Sequence, residues 1–372
     1  MRFPRLDPIT RTRWRRFRAL KRGYASLIIL AVAIGLSLVS ELIANHRAIV
    51  VKHEGTYYFP TFRFYPKKTF GQDAAAAAGT ARMPEEAALA RAMAEFDESG
   101  DAETDYRALA AAWRGTADWV LMPLVPYGPC ESDFASAAWP TPPDAKHWLG
   151  TDAQGRDVLA RLLYGFRISI FFALGLAAAA QAFGVAVGSL QGYLGGLFDL
   201  LSQRLIEVWT TLPFLYIVII LAALFAPSFW LLLAIMAAFS WMRITFYMRT
   251  EMYREKTREY CLAARAIGAS RARIVFVHLL PNCLTPIVTF TPFLVVGAIT
   301  ALTSLDYLGY GLPAPTPSWG EMIDQALRPE NRKCLWLILS PFGALAATLT
   351  LVTFVGESVR EAFDPKQYTR YE

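Results

Sequence analysis

The sequence is short of the groups that do covalent chemistry. Its four histidines, His46, His53, His147 and His278, are scattered, and neither an H-E-x-x-H nor a G-x-S-x-G spacing occurs. No G-x4-G-K-[ST] phosphate loop is present either, so the chain lacks the usual cradle for a nucleotide. The four cysteines, Cys130, Cys261, Cys283 and Cys334, form no C-x-x-C pair, which argues against a zinc or dithiol site. Charge is thin as well: 18% of residues are Asp, Glu, Lys or Arg, and long stretches carry none.

What fills those stretches is apolar. Hydrophobic residues make up 55% of the 372, and mean hydropathy is +0.31. Six runs, 24–44, 168–190, 205–226, 229–248, 284–305 and 334–356, reach the length of about 20 residues that spans a bilayer. The chain therefore reads as an all-α polytopic membrane protein. Residues 1–23 form a basic N-terminus, and 24–44 the first span. Residues 45–147 are an insert, 148–356 a core of five further spans with a polar loop at 250–282, and 357–372 a C-terminal tail. The first run is also long enough for a signal peptide, but no small-x-small cleavage site follows it, which favours a retained span.

Arg2, Arg5, Arg11, Arg13, Arg15, Arg16, Arg18, Lys21 and Arg22 face only Asp7 before the first span. A basic arm can bind nucleic acid; directly before an apolar run it more often fixes the cytoplasmic side. Four spans later the loop repeats the bias, with Arg249, Arg254, Lys256, Arg258, Arg265, Arg271 and Arg273 against Glu251, Glu255 and Glu259. Both chain ends are thus expected in the cytoplasm, with Cys261 and Cys283 reduced. Cys130 and Cys334 fall on the outer side, where a bridge between them is open.

The insert is acidic, fourteen Asp and Glu against ten Lys and Arg. Ile49–His53, Glu54-Gly55 and Thr56–Phe59 predict a β-hairpin. Ala74–Ala78 is low in complexity, and Pro84 with Glu85 and Glu86 opens an Ala-rich helix. After it, Thr151 and Gln154 are spaced as a capping box. Val158, Leu159, Leu162, Leu163 and Phe166 would then form a lead-in helix lying on the bilayer. Pro213 should kink span three, and Pro227-Ser228 makes a tight hairpin to span four. Arg243 is expected to snorkel to the interface rather than to serve the pore. Pro286, Pro292, Gly297 and several threonines mark span five as pore-lining.

Within the polar loop, Tyr260, Ala263, Ala264 and Ile267 fall at i, i+3, i+4 and i+7, a shallow helical face that a partner can approach. Gly268 suits the end of that helix, Ser270 the N-cap of a second, and Pro281 the entry to span five. This helix–turn–helix is either an interfacial loop packed on its own spans or a docking site.

The spacing of Ala263-Ala264, Gly268 and Leu280-Pro281 resembles the coupling motif of ABC-importer permeases. The resemblance implies an ATPase-coupling role for Glu259, Ala263, Ala264, Arg265, Gly268, Ser270 and Pro281. Two positions depart from the family pattern: Leu262 replaces a Glu, for which Glu259 is one turn away, and His278 replaces an Ile. The outer motif Gly150-Thr151-Asp152-x-x-Gly155-Arg156-Asp157, followed by Tyr164–Ser169, is similar to that of the second permease of oligopeptide and dipeptide importers. Arg13–Arg18, Ser40–Asn45, the enlarged insert and Glu207–Trp209 look most like the Yej-type peptide and microcin C permeases.

The family implies a non-catalytic type I permease of the bacterial inner membrane. It pairs with a second permease, a separate ATPase that holds ATP and Mg, and an extracytoplasmic peptide-binding protein that contacts the insert and 304–322. Nucleic acid has no place in it. The competing class, a membrane-embedded hydrolase or transferase, would need acids, bases or nucleophiles within the spans, and few are there.

Overall fold

The apolar runs become helical because in lipid a segment must satisfy its own backbone groups, which a helix does by itself. A computed structural model describes residues 8–72, 103–134 and 138–363. The predicted helix opened by Pro84 and the Ala74–Ala78 joint lie outside the described residues. The chain divides into two compact units, residues 36–164 and residues 1–35 with 165–372.

In the second of these, α1 (Pro8–Ala19) is the basic arm folded as a helix. Phe17 is its buried anchor, and the Arg13 guanidinium lies 4.6 Å from the Phe363 ring. Five helices are long and apolar enough to span a membrane: α2 (Lys21–Leu38), α4 (Val158–Leu194), α7 (Phe229–Glu255), α9 (Leu284–Tyr307) and α11 (Leu335–Phe363). A sixth is the pair α5 (Gly196–Thr210) and α6 (Phe214–Leu224), bent by 71° where Pro213 breaks the ladder. Span one is shorter than its apolar run, because the helix breaks at Val39. The expected lead-in helix is not a separate element. The residues from Val158 onward run without interruption into α4, which spans 37 residues.

The core of this unit is apolar side chains of α2, α4, α6, α7, α9 and α11, among them Phe172, Leu176, Met236, Ile299 and Leu302. Two spans approach backbone to backbone along a glycine stripe. Gly184, Gly188 and Gly192 form a stripe on α4 that lies on the α7 backbone; a Cβ on Gly188 would stand 2.5 Å from the Thr245 carbonyl oxygen. Helices in lipid gain adhesion from such close packing rather than from the hydrophobic effect. Outside the spans, α10 (Trp319–Leu327) is capped by Ser318, whose hydroxyl binds the Asp306 carboxylate; Asp306 also accepts from the Leu312 N–H at 2.7 Å.

Unit 36–164 contains the predicted hairpin. Strands β1 (Val50–His53) and β2 (Thr56–Tyr58) pair antiparallel, and Glu54 and Gly55 both adopt positive φ, 49° and 80°, as a two-residue hairpin turn requires. The short helix α3 (Tyr106–Ala112) is capped by Asp105. Strand β3 (Trp119–Leu121) completes the sheet in the order β2-β1-β3. Val51, Phe70, Tyr106 and Leu109 make its small core. In the other unit, Cys261 and Cys283 are buried free thiols.

Candidate functional site

The polar loop folds as the sequence suggests, with one correction. Helix α8 (Glu259–Ala266) starts with Glu259 in its first turn, where an acid suits the positive end of the helix dipole. It stops at Gly268, whose φ of +81° favours glycine. The Gly268 N–H donates to the Arg265 carbonyl and the Ala269 N–H to the Ala264 carbonyl, each at 3.0 Å, closing a Schellman turn. Ser270 then caps the next turn, its hydroxyl accepting from the Arg273 N–H at 3.3 Å. Arg271–Arg273 passes into a π-helical segment, Ile274–Leu279, and then into Leu280–Asn282, which contains Pro281. The widened turn was not expected from sequence; π segments cluster where a helix must re-aim its side chains.

The correction concerns the face. Cys261 and Ala264 are buried against Met248, Met252, Ile274, Leu279 and Cys283. Ala263 and Arg265 are exposed, as are Glu259, Leu262 and Ile267, the last at 86%. Tyr260, Ala263, Ala264 and Ile267 therefore do not present one surface. A step of 100° per residue turns Ala264 inward and leaves Ala263 and Ile267 outward. Ala264 is small because the protein's own helices press on it.

Tyr260 ties the helix down. Its hydroxyl donates to Glu255 at 3.0 Å, and burial together with that carboxylate raises its pKa to about 12. Glu255 is itself buried and pairs with Arg258 at 3.0 Å. Beside α8 opens a cavity of about 820 Å³, lined by Tyr193, Lys256, Leu262, Arg265 and Arg271 among others. Burial, with Arg265 nearby, lowers the Lys256 pKa, and its ammonium donates to the Gly192 carbonyl at 2.7 Å.

Sequence reasoning passed over Asp199. It lies in the first turn of α5, buried, and takes both Arg249 nitrogens at 2.5 and 2.6 Å and the Tyr253 hydroxyl at 2.7 Å. This ties the start of the bent span to the end of α7, next to the coupling segment.

The 150–157 motif, in the other unit, is a buried polar knot. Gly150 and Gly155 turn at φ 74° and 75°. Thr151 does not begin a capping box; its hydroxyl accepts from the Thr141 N–H at 2.9 Å. Asp152 accepts from the N–H groups of Gln154 and Arg156 and from the Arg156 guanidinium at 2.7 Å, with Arg161 at 3.5 Å. The Gln154 side chain accepts from Arg156 instead of turning back to a cap. It is Asp157 that caps α4, accepting from the Ala160 N–H at 2.8 Å. Its other oxygen binds His147 Nδ1 at 2.8 Å, and His147 Nε2 meets Asp133 at 3.2 Å. Burial alone would lower the His147 pKa, but the hydrogen bonds to Asp157 and Asp133 outweigh it and hold it above 6.5.

A helical protein with up to six spans, a broken third span and a basic helix–turn–helix between two spans is a multi-span membrane protein of the transport kind. Residues 184–367 match the family described as binding-protein-dependent transport system inner membrane component. The chain is 41% identical to the inner membrane ABC transporter permease protein YejE of Escherichia coli, over 98% of this chain and 99% of that one. It is 39% identical to the peptidoglycan transport system permease protein YejE of Agrobacterium fabrum, over 99% and 96%. Against the dipeptide transport system permease protein DppC of Haemophilus influenzae the identity is 32%, over 66% and 85%.

The chain therefore belongs to the family of inner-membrane components of binding-protein-dependent transport systems. It is an ABC-importer permease subunit of the bacterial inner membrane, not a membrane hydrolase or transferase. Membership brings with it an ATPase partner and a binding-protein partner.

Proposed function

We propose that this subunit imports peptides by alternating access, driven through α8 by a separate ATPase that holds the ATP and Mg. The observation that carries this reading is the rigid α8 turn with Ala263, Arg265 and Ile267 exposed on it. A lever must be both stiff and uncovered. The Schellman turn and the Ser270 cap make it stiff; Ala264 and the Tyr260–Glu255 bond seat it on the spans; Glu259 and Arg265 offer charges for docking. ATP shifts the spans only as far as the closed ATPase prefers one state of them.

Charge supports the orientation. α1 and the 249–273 segment are both basic, and the positive-inside rule puts both in the cytoplasm. That parity requires an even number of spans between them, so the bent pair α5–α6 counts as one full crossing. The C-terminus follows on the same side. A second permease completes the path as a heterodimer. An extracytoplasmic binding protein delivers peptide to the insert and to residues 304–322, at the start of α10. The names of the relatives support peptide cargo, and the Agrobacterium relative's name extends it to cell-wall peptides.

The test is ATP-dependent peptide uptake by the assembled complex in proteoliposomes. Ala263→Trp and Ile267→Asp are expected to abolish most uptake while the permease still inserts and pairs. Undiminished uptake by both would refute the coupling role.

A further inference from the structure

One side of α7 is unlike a lipid-facing surface. Ser240, Arg243 and Tyr247 recur within the span at spacings of three and four, so they share one stripe, which Thr250 and Arg254 continue into the polar loop. Arg243, Tyr247, Thr250 and Arg254 are exposed and Ser240 is half-buried. The opposite side, Trp241, Ile244, Thr245, Met248 and Met252, is buried, much of it against the α4 glycines. By contrast the exposed large residues of α11, Leu335, Leu339 and Phe342, are apolar.

Arg243 stands six residues before Arg249, about 9 Å further into the span at 1.5 Å per residue. Among the described residues neither its guanidinium nor the Tyr247 hydroxyl has a hydrogen-bond partner. The two border a mostly apolar cleft lined also by Gln181 of α4, Ile244 of α7, and Phe290, Phe293 and Leu294 of α9. Tyr247 stacks on Phe290 with ring centroids 4.1 Å apart, and Gln181 donates to Thr291 at 2.8 Å. The cleft has a volume of about 30 Å³, close to one water's share of the liquid, and no acid lines it. At span depth lipid would leave the Arg243 guanidinium and the Tyr247 hydroxyl unsatisfied, so this side of α7 belongs beside a water-filled path, with Gln181 of α4 the third polar group at the cleft.

We propose that Arg243 is the anion-binding residue of the translocation path, taking the C-terminal carboxylate of a passing peptide, with the Tyr247 hydroxyl as a second donor. The inference rests on the peptide reading above and adds the group of the cargo that is read. The terminal carboxylate is the one anion every free peptide carries whatever its sequence, and a guanidinium fork matches it in two parallel hydrogen bonds.

The test uses the full complex in proteoliposomes and a pair of peptides, free acid and C-terminal amide, that its binding protein takes with equal affinity. Uptake is measured against concentration for wild type, Arg243→Gln and Arg243→Lys. The expected result is a KM for the free acid raised about tenfold by Arg243→Gln, the scale of one lost charge-assisted hydrogen bond, with the amide unchanged and Arg243→Lys intermediate. Three results would overturn the inference. They are wild-type uptake that does not distinguish acid from amide, variants that match wild type on both, and variants that lose both peptides alike. The last is what a merely structural Arg243 would give, and the second what a lipid-facing one would. Wild-type complex that moves neither peptide is a different failure, that of the peptide reading itself.

Discussion

At the scale of single residues, the polar groups that matter are buried and paired, and each makes a distinct prediction. His147 lies between Asp157 and Asp133, 2% exposed, with the Tyr127 ring against it. Its folded pKa is raised, so the stability it contributes is complete below its ordinary value of 6.5 and is lost as pH rises through the folded value. Hydrogen exchange across residues 141–161 should therefore be faster at pH 8.5 than at pH 6 beyond the intrinsic rate change. His147→Gln should abolish that difference. Asp199 predicts differently. Asp199→Asn leaves Arg249 without its carboxylate, which should lower the thermal stability of the detergent-solubilised chain by about 2 kcal/mol. A Tm equal to wild type would show that the pair contributes nothing.

What could be read at this scale was what is local. Gly268 and Ser270 were legible because helix stops and caps are set by the residue itself. Asp157 was not, because Thr151 and Gln154 offer the same capping pattern six residues earlier. The positive φ of Gly155 decides between them by turning the chain first.

At the scale of elements, α8 and the α4–α7 seam carry the argument. Gly268 has open space around its Cα, so Gly268→Ala clashes with nothing and suffers only backbone strain, about 1 kcal/mol. We expect that variant to fold and insert normally while uptake per ATP hydrolysed falls, read from the two rates in one preparation. Gly188→Leu is the opposite case. Its side chain would meet the α7 backbone, and the chain should lose most of its folded yield in detergent. The glycine repeat at 184, 188 and 192 was visible in the sequence, although only the structure shows which helix it meets. The inward turn of Ala264 was harder to see, since Tyr260, Ala263, Ala264 and Ile267 satisfy the helical period whichever side is covered. Strand β3 was missed because its partner β1 is distant along the chain, and pairing of that range leaves no local mark.

At the scale of the whole molecule, the six apolar runs, the hairpin and the basic loop were all legible, since bilayer thickness and charge asymmetry act directly on sequence. The broken third span was legible in Pro213. The transport class follows from the family; the proposed orientation rests on the charge parity of α1 and the 249–273 segment. If α5–α6 were a re-entrant loop instead of a crossing, those two basic segments would lie on opposite sides. A membrane-impermeant maleimide should therefore treat single cysteines placed in both segments alike.

The central claim is that an ATPase moves these spans by holding α8. The most direct measurement is short-range cross-linking from Ala263→Cys in the purified, cysteine-reduced complex, with and without ATP. The account predicts a cross-link to the ATPase subunit, with a yield that changes on ATP binding. A cross-link confined to this chain or to the second permease, unchanged by ATP, would contradict it.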